Sequence, residues 1–185
     1  MAIKRLAHVG YGVIERNRVN AENMESACEL DATAFPDGAE NGRVVGVRKD
    51  TGKVVKSTDA SAVKGILNNS EKIYDQFHQG LNQYHVEPGK MAAVLFVEKG
   101  NTFTTNTICY DDSEFSNDKA VKEAFKKETL ASTPLYCIPS TQSGYEGILQ
   151  LTKTADGAPF VAVEYKVMPD MFNYGIKVMK NAVEM

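Results

Sequence analysis

Met91-Ala92-Ala93-Val94-Leu95-Phe96-Val97-Glu98, a break at Gly100-Asn101, and then Thr102-Phe103-Thr104-Thr105-Asn106-Thr107-Ile108-Cys109-Tyr110 is the stretch that decides the fold class. The first run is continuously apolar over the length of a strand, which reads as a strand buried on both faces. The second is dense in β-branched threonine, which suits a half-exposed pleated surface. Towards the N-terminus, Arg43-Val44-Val45-Gly46-Val47-Arg48 and Lys53-Val54-Val55-Lys56 flank Asp50-Thr51-Gly52, a hairpin pattern. Before it, Phe35-Pro36-Asp37-Gly38-Ala39-Glu40-Asn41-Gly42 is dense turn chemistry. Residues 57–89 leave two readings open. Ile73, Phe77 and Leu81 recur at helical spacing, interrupted by Gly80, while a loop wrapped on a sheet fits as well.

Towards the C-terminus, Ser116–Glu128 reads as a helix with Ala120, Val121, Ala124 and Phe125 as its apolar stripe. Asp118/Lys122 and Glu123/Lys127 are i,i+4 pairs in the favourable order. Glu146–Thr154 and Pro159–Met168 flank Ala155-Asp156-Gly157-Ala158 and read as an antiparallel hairpin. Its alternation puts Val161, Val163, Tyr165 and Val167 on a buried face, with Glu164 and Lys166 opposite. Phe172, Ile176, Met179 and Val183 are spaced as a short terminal helix. Residues 1–36 show no clear period, and a short helix near 21–30 and an arm that orders on a partner both fit. The expected fold is mainly β with one or two short helices. It is a compact β-barrel or sandwich-like domain over 37–185, preceded by an irregular N-terminal arm over 1–36.

The chain has 185 residues, with 21 Lys and Arg against 24 Asp and Glu, a net charge of −3. That balance disfavours a nucleic-acid partner, which a strongly basic face would announce. No apolar run approaches the roughly 20 residues needed to cross a membrane, and no apolar stretch follows Met1–Leu6, so neither an anchor nor a secretion signal is expected. All five arginines, Arg5, Arg16, Arg18, Arg43 and Arg48, fall in the first 48 residues. Arginine holds carboxylates through a planar fork, which suits this quarter of the chain to fixed protein pairing.

Chemistry-bearing patterns are sparse. Cys28, Cys109 and Cys137 are odd in number and lack C-x-x-C spacing, so reduced, mostly buried thiols are expected, without a structural disulfide. His8, His78 and His85 match no metal motif, and no metal or other cofactor is expected. Gly10-Tyr11-Gly12 and Gly144-Tyr145-Glu146-Gly147 do not make a phosphate loop, and the nucleophile elbow is absent. Asp111-Asp112-Ser113-Glu114 lacks the calcium-loop pattern and reads as a solvated loop.

Glu40-Asn41-Gly42-Arg43-Val44-Val45-Gly46-Val47 leads a hairpin after an irregular arm, Pro88-Gly89-Lys90 opens a strand, and Gly100–Asn106 opens the next. In style this resembles small structural proteins of tailed bacteriophages, capsid decoration (cement) proteins in particular. The resemblance implies a non-catalytic virion protein, made in the host cytoplasm, that sits on the outer capsid surface and braces the shell. Its partner would be the major capsid protein lattice, with trimers around the capsid axes and no nucleic acid or membrane partner. In the arm, Arg5, Arg16 and Arg18 are the candidates for pairing with acidic groups of the partner, and Asn17 and Asn20 for bonding its backbone. A tail-tube or tail-terminator protein fits the same signals. A small ligand- or glycan-binding module and a small enzyme using Cys137 or His85 are the readings from other classes.

Overall fold

The computed structural model describes residues 2–7, 11–19, 23–69, 84–126, 133–168, 173–183 and 185. The first strands are β1 (Ile3–Arg5), β2 (Ile14–Arg18) and β3 (Met24–Leu30). Next come β4 (Val44–Val47), β5 (Lys53–Lys56), β6 (Val63–Leu67) and β7 (Met91–Leu95). β8 (Thr102–Thr105) and β9 (Ile108–Asp111) precede one helix, α1 (Asp118–Ala124). β10 (Leu135–Pro139), β11 (Leu149–Thr152), β12 (Phe160–Met168) and β13 (Asn173–Lys180) follow. The strands form a closed barrel, β3-β5-β4-β6-β7, and an eight-stranded sheet, β1-β9-β11-β10-β12-β13-β8-β2. The chain is a compact, mainly β fold, as its strand and turn pattern predicts.

In the barrel, β4 and β5 pair antiparallel with Val45 opposite Lys56. Gly52 closes their turn at a positive φ of 66°, a conformation glycine adopts at no steric cost. β6 lies inside the stretch left open by the sequence and pairs with β4 and β7. The stripe of Ile73, Phe77 and Leu81 lies outside the described residues. Leu30, Phe35, Val45, Val47, Val54, Leu67 and Val94 fill the barrel. Val44, Ile66 and Leu95 join the core of the larger sheet beside Phe103, Ile108, Leu149, Phe160 and Val178. The two units therefore share a wall. α1 starts at Asn117, whose side chain accepts a bond from the Ala120 N–H, and buries Val121 on that core.

The threonine-rich run departs from expectation. It breaks at Asn106-Thr107, and every residue from Phe103 to Tyr110 is buried. The threonines stand burial because their hydroxyls are satisfied. Thr104 Oγ1 donates to Asn17 Oδ1 at 2.8 Å, Thr105 Oγ1 to the Val13 carbonyl at 2.7 Å and Thr107 Oγ1 to the Asn41 carbonyl at 2.5 Å.

The same break shapes the sheet. β1 pairs antiparallel with β9, and β2 with β8, so residues 3–5 and 14–18 run alongside 109–111 and 102–105 as two parts of one interrupted ribbon. The halves of this ribbon stand at opposite ends of the sheet order. β11, β10, β12 and β13 separate β9 from β8, which in a flat sheet is about 24 Å. The link from Thr105 to Ile108 spans at most about 11 Å. The sheet must therefore curl until its ends converge at Asn106-Thr107.

Four expectations are corrected here. The described residues of 1–36 do not form an irregular arm: β1 and β2 flank the large sheet, and β3, placed near a candidate helix, closes the barrel. Leu6, Tyr11, Cys28 and Leu30 are buried, so the core begins well before residue 37. The Asp156-Gly157 turn exists, but β11 and β12 do not pair across it. β10 lies between them, bonded to both, and β11 runs parallel to β9. Among the β12 side chains described, Phe160 and Ala162 are buried, whereas Val163 is exposed; the Val167 side chain lies outside them. A bulge between Ala162 and Glu164 resets the alternation, so Tyr165 opposite Ile176 again packs on the core while Glu164 stays exposed. Finally, Ile176 and Met179 of the C-terminal stripe lie on β13, not on a helix, with Ile176 and Val178 buried in a two-residue period around half-exposed Lys177; Phe172 lies outside the described residues.

Candidate functional site

The five candidate partner-binding residues separate. Arg5 is not free for a partner: its two terminal nitrogens hold the two carboxylate oxygens of Glu40 at 2.5 Å each. Arg16 and Arg18 are exposed on β2, and neither guanidinium has an ion pair among the described residues. Asn17 sits at a bulge between them, where its side chain is held by Thr104. Asn20 lies outside the described residues. Among those residues β2 is an edge strand, pairing with β8 alone. Glu15 on its outer face reaches Lys166 of β12 at 3.3 Å. From Arg18 a register row runs across the sheet through Thr102 and Met179 to Val161 and Tyr136. Met179 in that row and Val163 beside it are exposed apolar side chains.

A second place, unmarked in the sequence, is a cleft of about 580 Å³ where the barrel meets the sheet. The barrel contributes the 34–40 turn, Arg43 and Lys56, while the sheet side contributes Arg5 and the 143–146 turn. Tyr11 and Tyr84, an edge-to-face pair with centroids 5.7 Å apart, also line it, with His85. The walls are pinned by the Val44 N–H bonded to the Gly147 carbonyl at 2.7 Å and the Gly42 N–H bonded to the Leu67 carbonyl at 2.8 Å. Gly147 is required: its φ is 77°, and an added Cβ would lie 2.1 Å from the Val44 carbonyl oxygen.

The cleft's charges pair unevenly. Glu40 gives both oxygens to Arg5. Glu146 accepts from Lys56 Nζ at 3.2 Å on one oxygen and from the Gly144 N–H at 2.9 Å on the other. Burial alone would raise the Glu146 carboxyl, but hydrogen bonds from its own backbone, Lys56 and Gly144 outweigh that and hold it below its ordinary value. Arg43 is left over. Its Nε is cut off from solvent without a hydrogen-bond partner, and its guanidinium carbon lies 5.9 Å from the centre of the Phe35 ring. Burial lowers its pKa, against the opposing pull of Glu40.

Comparison with family models, with curated proteins and with solved structures finds no match. The site must be read from its own geometry. His8 and His78 lie outside the described residues. Among those described, no three His, Cys, Asp or Glu side chains converge as a metal site. No described helix is long and apolar enough to cross a membrane. The acidic run is structural. Asp111 caps its own turn through Ser113, Asp112 accepts from the Ala2 N–H, and Glu114 holds Thr152 and the Lys153 N–H. Cys28, Cys109 and Cys137 are buried free thiols, and burial pushes the first two up to about 11 and about 12. The arginine-rich first 48 residues were the available signal for the cleft, since Arg5 and Arg43 meet there around Glu40.

Proposed function

We propose that this protein is a non-catalytic virion component that binds the outer surface of a phage capsid shell, most directly the major capsid protein lattice, and stabilises it. Trimers around the shell's symmetry axes are part of this reading. The observation that supports it is the β2 edge. A strand edge carries unpaired backbone groups, and the bulge at Asn17 with arginines on either side is the kind of device that discourages indiscriminate strand pairing. The same arginines, exposed and without carboxylate partners among the described residues, suit an acidic acceptor surface, with the row of Met179 and Val161 as the apolar part of the contact.

The test is co-sedimentation with expanded shells lacking the protein. Deleting residues 1–20 is the wrong perturbation, because it removes β1, β2 and buried Leu6 and Tyr11. The paired charge reversals Arg16→Glu and Arg18→Glu leave the core untouched. They are expected to weaken shell binding by about tenfold or more and to flatten its salt dependence. Undiminished binding by the double variant removes β2 from the interface. Failure of the wild-type chain to bind shells, under salt conditions where they are intact, overturns the capsid reading.

A further inference from the structure

We propose that the cleft between barrel and sheet is a binding site for a carboxylate carried on an apolar or aromatic body, with Arg43 as its anchor. The argument is one of accounting. Three cations line the cleft, Arg5, Arg43 and Lys56. Glu40 and Glu146 are beside them, and all four of their oxygens already receive bonds from Arg5, Lys56 and the Gly144 backbone. Arg43 has no acceptor among the described residues, and its Nε is shut away from water. Arg43 is half-buried, and hiding its Nε from water without a hydrogen-bonded partner is costly, so the site favours an anion that brings its own oxygens.

The lining chooses among anions. With exposed Asp37 at the rim, the formal charges of the cleft cancel, and without it they leave one positive charge. That suits a single carboxylate and disfavours a phosphate dianion. Phe35, Tyr11 and Tyr84 supply aromatic surface for an apolar body. The volume lies within the range of pockets that hold small organic ligands. Two sources carry this chemistry: a free aromatic acid, or the C-terminal carboxylate of a peptide ending in an aromatic residue. No residue of β2 lines the cleft, so this inference and the shell-binding reading fail separately.

The experiment is an amide and guanidinium NMR titration of the whole chain with phenylacetate, with N-acetyl-Gly-Phe as free acid and as amide, and with inorganic phosphate. Saturable shifts are expected at Phe35, Tyr84, His85 and Gly144 and at the Arg43 Nε–H for phenylacetate, for the peptide acid, or for both. The peptide amide should give none. Binding of phenylacetate alone identifies a free acid as the source, and tighter binding of the peptide acid identifies a chain end. Arg43→Gln should weaken the carboxylate by about tenfold or more, as expected for loss of a charge-assisted hydrogen bond. Arg48→Gln, paired with Asp50 and Asp59 away from the cleft, should leave it unchanged. Should Arg43→Gln disturb the spectrum as a whole, Arg43→Lys decides, because it keeps the charge and loses the fork: a loss of about tenfold sustains the anchor. Full affinity in Arg43→Gln, or in Arg43→Lys where that variant decides, overturns the proposal. So does tighter binding of phosphate, or the absence of saturation by any carboxylate up to about 10 mM.

Discussion

Replacing Asn106 by alanine tests how the N-terminal segment is held. Asn106 is fully buried at the bend between β8 and β9. Its side-chain amide donates to the Tyr11 carbonyl at 2.9 Å and accepts from the Val13 N–H at 2.7 Å. Truncation leaves both backbone groups without these partners, the Tyr11 carbonyl in a buried place and the Val13 N–H in a half-buried one. A buried group left unsatisfied costs about 1–3 kcal/mol, so two of them, partly relieved by local relaxation, cost about 3 kcal/mol. With a urea dependence of about 2 kcal/mol per molar for a chain of this size, the unfolding midpoint should fall by about 1.5 M. The loss should also appear locally. Trypsin cleavage after Arg16 and Arg18 should accelerate before global unfolding, because β2 is tethered through this contact. A midpoint shift below about 0.3 M, with unchanged cleavage, would refute the reasoning and show that the β1 and β2 ladders suffice.

Two further outcomes follow from burial. Val163→Asp, at the β12 bulge, should cost about 0.5 kcal/mol or less, whereas Ala162→Asp should unfold the chain at 25 °C; similar melting temperatures for the two would mean the bulge phase is misplaced. Cys28 and Cys109 titrate in the folded chain at about 11 and about 12 against an ordinary 9.0, both chiefly through burial. Their contribution to stability is therefore complete below pH 9 and is lost as pH rises through 9 to 12, because the unfolded chain gives up its thiol protons first. Urea midpoints for wild type and Cys109→Ala across pH 8–11 should converge as pH rises, and a constant gap between them would contradict the assignment.

Local pattern carried much of this fold. The hairpin around Asp50-Thr51-Gly52, the apolar strand at Met91 and the helix capped by Asn117 rest on residues close in sequence, and each could be read there. What escaped were features decided by distant partners. β10, Leu135-Tyr136-Cys137-Ile138-Pro139, is too short to show a period, yet it takes the place beside β12 that the Asp156-Gly157 turn, read locally, assigns to β11. The bulge at Val163 swaps faces mid-strand, so a correct period of two gave the wrong buried set. β3, with four exposed residues out of seven, looks polar because only its C-terminal end meets the barrel core. Of the candidate site, the concentration of arginine was visible, but not that Glu40 would claim Arg5 and leave Arg43 unmatched. That depends on two sheets meeting.

The interleaved ribbon bears on how the chain is made. The Ala2 N–H bonds the Asp112 side chain across 110 residues of sequence, and β1 and β2 have no other strand partners among the described residues. At cellular elongation rates β1 waits on the order of ten seconds before β8 and β9 leave the ribosome. Throughout that interval Ile3, Leu6 and Ile14 have no core to enter. The barrel strands, all made before residue 96, are complete earlier and would be the first unit to close, leaving the large sheet to be assembled once β8 to β13 have followed, with β1 and β2 joining strands made long after them.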